Sequence, residues 1–387
     1  MKDKNQKTKE ALNWMVDQVL PDKEELFKLM NQRKIRIYLG IDPTGNKLHL
    51  GHAVPLRKLQ EFIDLGHEVF LVVGTGTVLA GDPSLRDSAR PQISDKEIKK
   101  NIKNWKKQAS RVLDLSKVKI KYNGDWLLKL GLKDIIKIAS HISAIKLFQR
   151  DMFKKRLQRG DTVWMSETIY PLLQGYDSVA LDVDLEIGGT DQVFNMLIGR
   201  ELQQKMKKRE KFVMTLPMIL GTDGKTMSKS SGNCIWIEDT AKDMFGKVMS
   251  IPDTLINSYF TILTNISLAE VKKMLPRDAK AKLAYKIVKS YHGSAAADKA
   301  AKEFNRIFRE KKAPSNMPIV SLQQKEINLV DLLVKIKIAS SKGEARRLIE
   351  QGGVKIAGYI EKDFKKKVKL KSGDIIQVGK RRFVKIS

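Results

Sequence analysis

The sequence has a single cysteine, Cys234, among its 387 residues. One thiol excludes an internal disulfide and a cysteine-based zinc site, and it is typical of proteins from a reducing compartment. The five histidines are scattered, so no His/Cys cluster indicates a metal site. No apolar run approaches the roughly 18 residues of a membrane span, and the charged segment 1–10 lacks the apolar core of a signal peptide. We therefore expect a cytoplasmic protein without a membrane segment.

Acidic residues are also scarce relative to basic ones. The chain has 44 Asp and Glu against 73 Lys and Arg, which gives a net charge of +29 at pH 7. The most common explanation of such a large positive charge is a polyanionic partner such as nucleic acid. A proteome that is rich in lysine would also produce much of this excess. A hydrophobic content of 42% fits a globular protein, and the length allows two or three domains.

Alternating strand and helix patterns predict that residues 1–232 form an α/β domain with a doubly wound, Rossmann-like parallel sheet. Apolar runs and alternating apolar patterns predict strands at 35–41, 68–73, 118–122, 181–187 and 214–220. Helical periodicity predicts helices at 11–32 (broken by a proline), 49–65, 95–115, 132–160 and 193–208.

Two smaller units are predicted after this domain. Residues 233–318 lack strand signals and indicate a small helical domain that ends in a proline-containing linker. Residues 328–387 indicate a small α+β domain, with a helical opening that ends at Gly352-Gly353 and strands at 354–356, 375–378 and 382–386. This last unit has 16 Lys and Arg against 6 Asp and Glu, a local charge of +10.

A strand-to-helix turn near residue 43 is the first of two segments that suggest nucleotide chemistry. The strand 35–41 breaks at Pro43, and a helix follows near His49. Such a turn leaves backbone N–H groups and a positive dipole end directed out of the sheet. His49 and His52, three residues apart, share a helical face at that end, and Gly51 has no side chain to keep a ligand away.

The second segment is a basic loop bounded by Gly224 and Gly232. It has no apolar periodicity and contains Lys225 and Lys229. A glycine-bounded basic loop is suited to gripping a polyphosphate and then releasing it. A third pattern, a strand followed by Gly74-Thr-Gly76, is similar to a dinucleotide fingerprint, but Leu79 stands where a third small residue is required, which excludes that function.

The helix around Tyr170-Pro-Leu-Leu-Gln174-Gly-Tyr-Asp177 has an unusual polar face. Tyr170, Gln174 and Asp177 share one side of it, while the neighbouring residues are apolar. A phenol, an amide and a carboxylate on an otherwise buried helix indicate a binding site for a polar ligand.

These motifs, in this order, resemble those of bacterial tyrosyl-tRNA synthetases, which are class I aminoacyl-tRNA synthetases, over almost the whole chain. The resemblance implies activation of L-tyrosine with ATP, with Mg²⁺ on the phosphates, and transfer of tyrosine to the 3′ end of tRNA(Tyr). It also implies a homodimer. The alternative family within the same class is that of the tryptophan enzymes. Asp177 and the C-terminal unit favour the tyrosine family over it.

The resemblance further implies a tyrosine pocket. Tyr38 and Asp177 would bond the phenol group. The residues implied to hold the ammonium group are Asp82, Tyr170 and Gln174. Asn123 and Gln192 would support the pocket.

The resemblance likewise implies the ATP site. The residues that match the first nucleotide signature are Asp42, Thr44, His49, Gly51 and His52. Those that match the ribose-binding segment and the second signature are Gly189, Asp191, Gln192, Met227, Ser228 and Lys229. The chain departs from the family where Thr226 replaces the first signature lysine, so that Lys225 is a candidate replacement, and where Leu85 replaces a glycine.

The C-terminal unit, with Ser341-Lys-Gly-Glu-Ala-Arg346-Arg347, resembles the alpha-L RNA-binding domain. The basic residues implied to contact the RNA backbone are Arg346, Arg347, Lys355, Lys380, Arg381 and Arg382. An alternative from another class of function is a synthetase-like RNA-binding or splicing protein without aminoacylation activity. Thr226 favours it, whereas His49, His52, Asp191 and Lys229 count against it.

Overall fold

The computed structural model describes residues 3–84, 94–227, 231–310, 313–314, 317–322, 326–379 and 382–387. The chain divides into two compact units, Met1–Ala297 and Asp298–Ser387. Within the described residues, no helix has both the length and the apolar character needed to cross a membrane.

The first unit is built on a sheet whose described strands are β1 (Gln18–Leu20), β2 (Arg36–Ile41), β3 (Glu68–Val73), β4 (Val118–Tyr122), β5 (Leu185–Gly189) and β6 (Phe212–Leu216). Their order is β1-β6-β5-β2-β3-β4, and every pair is parallel except β1 with β6. The predicted doubly wound α/β fold is therefore confirmed.

Helices cover both faces of this sheet. The described helices of the first unit are α1 (Lys4–Asn13), α2 (Lys23–Gln32), α3 (Leu50–Asp64), α4 (Thr77–Ala80), α5 (Asp95–Ala109), α6 (Gly124–Leu127), α7 (Leu132–Ala139), α8 (Ala144–Phe148), α9 (Asp151–Gln158), α10 (Met165–Leu181), α11 (Val193–Lys207), α12 (Ala241–Met249), α13 (Ile256–Leu263), α14 (Leu268–Val271) and α15 (Pro276–His292). The boundary between the two units falls within the next helix, α16 (Ser294–Phe308).

Several sequence predictions for this unit were wrong in detail. The predicted strand at 214–220 is β6, which ends at Leu216, and the predicted helix at 132–160 is divided into α7, α8 and α9. The predicted helix at 11–32 contains the edge strand β1, because Met15 adopts a left-handed φ of 55° and ends the helical path. The predicted strand at 181–187 begins at Leu185 instead, because α10 continues to Leu181 and Asp182, with a φ of 49°, turns the chain into the sheet.

The strand order places a topological switch between β2 and β5. The chain leaves β2 towards β3 and β4 on one side, and it returns to β5 and β6 on the other side. The connections on the two sides therefore diverge, which opens a crevice at the carboxyl ends of the strands where ligands bind in this class of sheet.

In the second unit the described strands are β7 (Ile319–Val320), β8 (Glu326–Asn328), β9 (Val354–Ile356), β10 (Tyr359–Glu361), β11 (Lys367–Lys369), β12 (Ile375–Val378) and β13 (Arg382–Ile386). They form a sheet of order β10-β9-β12-β13-β7 and the pair β11-β8. The helices α17 (Leu329–Lys335) and α18 (Lys342–Glu350) contribute to an apolar core that includes Leu332, Leu333 and Ile349. The predicted strands β9, β12 and β13 are present.

Candidate active site

A cavity of about 290 Å³ opens at the carboxyl ends of the parallel strands, at the switch between β2 and β5. Most of the residues predicted from the sequence line it. They are Asp42, Thr44, His49, Gly51, His52, Asp82, Asn123, Tyr170, Gln174, Asp177, Gly189, Asp191, Gln192 and Met227. The fold thus gathers residues from six separate stretches of the chain around one space.

His49 and His52 form the N-terminal cap of α3. The backbone N–H of Gly51 donates to His49 Nδ1 at 3.1 Å, and the backbone N–H of His49 donates to His52 Nδ1 at 3.2 Å. Since a neutral imidazole carries one proton, an Nδ1 that accepts a hydrogen bond leaves the N–H on Nε2. The two rings, with centroids 3.9 Å apart, thus present N–H donors at the positive end of a helix, a combination suited to phosphate oxygens.

Burial keeps both imidazoles neutral. Desolvation, together with the neighbouring His52, lowers the pKa of His49 to about 2, and desolvation lowers the pKa of His52 to about 4. Protonation would also turn each Nδ1 from an acceptor into a donor and would break the helix cap.

The pH dependence of catalysis should reflect these low pKa values. An ordinary histidine gains a proton as the pH falls through about 6.5, whereas His49 and His52 should stay neutral until the pH falls through about 4. We expect kcat/KM for ATP in pyrophosphate exchange, which reports the free enzyme, to show no inflection near pH 6.5. An inflection there that disappears in both His49→Asn and His52→Asn would contradict the neutral-imidazole account.

Asp42, just after β2, accepts hydrogen bonds from residues of two helices, α4 and α10. Thr77 Oγ1 donates to Asp42 Oδ1 at 2.7 Å, and Tyr170 Oη donates to Asp42 Oδ2 at 3.0 Å. Gly74 permits this approach, because a Cβ atom there would lie 1.9 Å from Asp42 Oδ1. The Gly74-Thr-Gly76 segment, which the sequence excludes as a dinucleotide fingerprint, is therefore a wall of this cavity.

Asp177 marks the deep end of the cavity. Trp126 Nε1 donates to its Oδ1 at 2.8 Å, and Asn123 Nδ2 donates to its Oδ2 at 3.1 Å. Burial raises the pKa of Asp177, an effect that these two hydrogen bonds oppose. The result is a buried carboxyl group, fixed by two donors, on the cavity wall.

Tyr38 is not among the residues that line the cavity. Its ring is fully buried on the same face of β2 as Gly40, two residues earlier in the strand. Its hydroxyl lies 3.0 Å from Ser178 Oγ. The phenol contact assigned to Tyr38 from the sequence stays a prediction, since its hydroxyl lies next to Ser178, one residue after Asp177 on α10. Of the two residues assigned to the phenol, Asp177 is the one on the cavity wall.

Gln192 connects the two sides of the cavity mouth. Its Nε2 donates to Asp82 Oδ2 and to Asp191 Oδ2, both at 2.9 Å, while Asn195 Nδ2 donates to its Oε1 at 3.0 Å. Asp82 also accepts from the backbone N–H of Ser84 at 2.9 Å. These contacts hold the two carboxylates at the mouth in fixed positions.

The basic loop approaches the same cavity. Thr226 and Met227 line it, whereas the exposed Lys225 does not. The loop turns at Asp223, whose Oδ1 accepts from the Lys225 backbone N–H at 2.9 Å and from Asn233 Nδ2 at 2.8 Å. Ser228 and Lys229 lie outside the described residues, as does Leu85.

The basic residues predicted in the second unit differ in their surroundings. Arg346 and Arg347 are exposed on α18, and the Arg346 guanidinium stacks 5.6 Å from the centroid of the Phe364 ring. Lys355 is half-buried, and Arg382 donates to the Ile338 carbonyl at 2.7 Å. Lys380 and Arg381 lie outside the described residues.

Three polar residues near the deep end were not predicted from the sequence: Trp126, Glu186 and Lys211. Glu186, on β5, lines the cavity, and the fully buried Lys211 forms an ion pair with it. The signal available in the sequence was the position of Lys211 directly before the apolar strand β6. A lysine that is fully buried, as Lys211 is, almost always has a charged partner.

Comparison with known proteins identifies the family. The family model of class I tRNA synthetases for tryptophan and tyrosine matches residues 30–309, and that of the tyrosine–tRNA ligase C-terminal domain matches residues 310–386. The tyrosine–tRNA ligase of Thermotoga maritima is 44% identical over 95% of this chain and 94% of its own length. That of Aquifex aeolicus is 40% identical over 95% of each chain.

Solved structures show the same fold. The chain matches a truncated mitochondrial tyrosyl-tRNA synthetase of Aspergillus nidulans with a TM-score of 0.65 and 23% identity, over 80% of this chain and 95% of that one. It matches tyrosyl-tRNA synthetase of Archaeoglobus fulgidus with a TM-score of 0.63 and 21% identity, over 77% and 100%. Fold and site together define a class I aminoacyl-tRNA synthetase. Within that class, the chain belongs to the tyrosine–tRNA ligase family.

Proposed function

We propose that this chain joins L-tyrosine to tRNA(Tyr) in two steps and that the cavity at the β2/β5 switch is where tyrosine is activated. In the first step the tyrosine carboxylate attacks the α-phosphorus of ATP, an O–P bond forms, and pyrophosphate leaves. In the second step a ribose hydroxyl of the terminal adenosine attacks the tyrosyl carbonyl, and AMP leaves. The observation that carries the proposal is the pairing of two neutral imidazole donors with a buried carboxyl group in one cavity.

The tyrosine side chain occupies the deep end in this proposal. Asp177 accepts a hydrogen bond from the phenol, supported by Asn123 and Trp126. Asp82, Tyr170 and Gln174 surround the ammonium group. A phenylalanine ring in the same place would leave Asp177 without its partner, and the cost of that loss provides the specificity.

The nucleotide occupies the mouth of the cavity. His49 and His52 donate to its phosphate oxygens, Asp191 accepts from ribose hydroxyls, and Gly189 allows close approach of the adenosine. The residues that complete the proposed ATP site are Asp42, Thr44, Gly51, Met227, Ser228 and Lys229, with Lys225 as a further phosphate ligand. Mg²⁺ enters with the phosphates as part of the nucleotide. No general base is required, since the tyrosine carboxylate is already ionised, so catalysis consists of positioning and charge stabilisation.

Formation of tyrosyl-tRNA tests the proposal. The purified protein, supplied with ATP, Mg²⁺, tRNA(Tyr) and radiolabelled tyrosine, is expected to charge the tRNA and to release AMP in equal amount. A protein that binds the tRNA without charging it would instead be a synthetase-like RNA-binding protein.

The second unit binds the tRNA backbone in this proposal. Its sequence from residue 328 has a net charge of +10, and Arg346 and Arg347 are exposed on one helix. Lys355, Lys380, Arg381 and Arg382 are the further proposed contacts. Contacts of this kind supply affinity without reading the base sequence.

The salt dependence of tRNA binding tests this role. Each phosphate contact contributes about 0.7 to 0.9 to the slope of log K against log salt concentration. The double variant Arg346→Ala/Arg347→Ala should therefore reduce that slope by roughly 1.4 to 1.8. Lys4→Ala/Lys7→Ala removes the same charge from exposed positions on α1 and serves as the control. Identical slopes for the two double variants would exclude α18 from the RNA interface.

A homodimer is the proposed assembly. Large apolar side chains are exposed in one segment of the first unit, and they are Leu128, Leu132, Ile136, Ile145, Trp164 and Met165. Soluble monomers rarely expose many large apolar groups in one region, which favours a subunit interface there.

Charge substitutions in this segment test the interface. Leu132 is 77% exposed and Met165 73% exposed, so the substitutions Leu132→Glu and Met165→Glu should not disturb the fold of the single chain. In a dimer they would bury an unpaired charge at the interface, which should prevent association. Sedimentation should give twice the chain mass of 44.0 kDa for the wild type and the single mass for these variants. Leu275→Glu, at a 72% exposed position outside the segment, should remain dimeric. A dimer that survives both substitutions would place the interface elsewhere.

A further inference from the structure

A fully buried charge network lies directly below the tyrosine end of the cavity. Lys211 Nζ donates to Glu186 Oε2 and, at 2.8 Å, to Ser178 Oγ. Lys211, Glu186 and Ser178 are each at most 1% exposed. Breaking a buried ion pair is costly, so such a pair requires a reason for its presence.

The packing of the first unit makes room for this lysine. α10 and α11 approach closely through Gly175 and Gly199, where a Cβ atom on Gly175 would lie 3.0 Å from the Gly199 backbone nitrogen. A Cβ atom on Gly199 would lie 2.6 Å from Lys211 Nζ. The ammonium group of Lys211 therefore occupies a space that exists because residue 199 has no side chain.

Glu186 carries the effect of Lys211 to the cavity. Its Oε2 accepts from Lys211, and its Oε1 accepts from Gln174 Nε2 at 3.1 Å. An ionised carboxylate accepts hydrogen bonds and cannot donate them. The Gln174 amide must therefore turn its NH2 group towards Glu186, which directs its oxygen away from Glu186.

The Gln174 oxygen is left without a partner. Gln174 lines the cavity, and its Oε1 is buried without a hydrogen bond to any residue that the structure describes. A buried acceptor without a donor is costly unless a ligand supplies one. Within the proposed function, the donor at this position is the ammonium group of tyrosine.

We propose that Lys211 is a positioning residue for amino-acid recognition, which acts by holding the Glu186 carboxylate against Gln174 Nε2 and thereby keeping the Gln174 oxygen towards the ammonium group of the substrate. Without Lys211, the Glu186 side chain loses the partner that fixes it, and the Gln174 amide then turns its oxygen inward. The pocket loses an acceptor although no residue that contacts the substrate has changed. This inference depends on the proposed tyrosine site.

A substrate analogue separates this role from a merely structural one. 3-(4-Hydroxyphenyl)propionate keeps the phenol and the carboxylate of tyrosine but lacks the ammonium group. In Lys211→Met, KM for tyrosine in pyrophosphate exchange should rise roughly 10-fold or more, whereas the inhibition constant of the analogue and kcat should change little. Equal increases in both constants would mean that the pocket has deformed, and a lower KM for tyrosine would mean that Glu186 attracts the ammonium group directly. Either result would overturn the proposal.

A double-mutant cycle tests whether Lys211 acts through Gln174. Gln174→Met should cause the same loss of selectivity for tyrosine over the analogue, and adding Lys211→Met to it should cause no further loss. Additive losses would refute the coupling.

A second variant serves if Lys211→Met fails to fold. Lys211→Met/Glu186→Gln removes both buried charges, and the amide at position 186 does not dictate the orientation of Gln174. The same loss of selectivity is therefore expected. Wild-type selectivity in that variant would overturn the proposal, whereas a wild type without tyrosine-dependent exchange would refute the proposed function itself.

Discussion

Asp177→Ala is expected to remove most of the preference for tyrosine over phenylalanine. In the proposed site the phenol donates to a buried carboxyl group that Asn123 and Trp126 hold in place. Phenylalanine leaves this buried acceptor unpaired, which costs about 1–3 kcal/mol, so without Asp177 the ratio of the two specificity constants should fall roughly 5- to 100-fold. Both constants are measured by pyrophosphate exchange with each amino acid in turn.

A matched control is available two residues after Asn123. Asp125 is an exposed carboxylate on α6 next to Trp126, one of the residues that hold Asp177, so Asp125→Ala removes the same kind of group without changing a residue that lines the cavity. Its ratio should equal that of the wild type. If the ratio in Asp177→Ala were also unchanged, another group would have to recognise the phenol, and the assignment of the deep end would be wrong.

The second large effect is expected at His49. Asparagine is a favourable N-cap residue, so His49→Asn should preserve the start of α3 while it removes the Nε2–H donor. Loss of one donor to charge that develops in the transition state typically lowers kcat about 10²- to 10³-fold. KM for tyrosine should change little, because the imidazole lies on the phosphate side of the proposed site.

The comparison with His49→Ala separates capping from catalysis. Alanine removes the helix cap as well as the donor, which should lower the free energy of unfolding by roughly 1 kcal/mol relative to His49→Asn. Both variants should have similarly low kcat values. A His49→Asn variant with nearly full activity would show that the imidazole serves as a helix cap and not as a phosphate ligand.

Much of this architecture could be predicted because the strands of a parallel sheet are buried on both faces. The mainly apolar runs at 35–41 and 68–73 correspond to β2 and β3, whereas the alternating Val118–Tyr122 corresponds to the edge strand β4. The capping role of His49 follows from its place just before the first apolar turn of α3. Local patterns of this kind depend on neighbours in the sequence, and they survive folding almost unchanged.

Patterns that depend on tertiary contacts were missed. The strands β10 and β11 were not predicted because neither has a buried apolar pattern. Tyr359 and Ile360 of β10 are exposed, and β11 is Lys367–Lys369, with a single apolar side chain. The pairing of Lys211 with Glu186 requires β5 and β6 to be neighbours, and that is a property of the strand order.

In the proposed function, the cavity at the β2/β5 switch activates tyrosine and excludes its nearest analogues. ATP–pyrophosphate exchange by the purified chain, with each of the twenty amino acids supplied separately, tests this most directly. We expect exchange with tyrosine, none with tryptophan, and exchange with phenylalanine weaker by orders of magnitude. Exchange with no amino acid, or with tryptophan in preference to tyrosine, would contradict it.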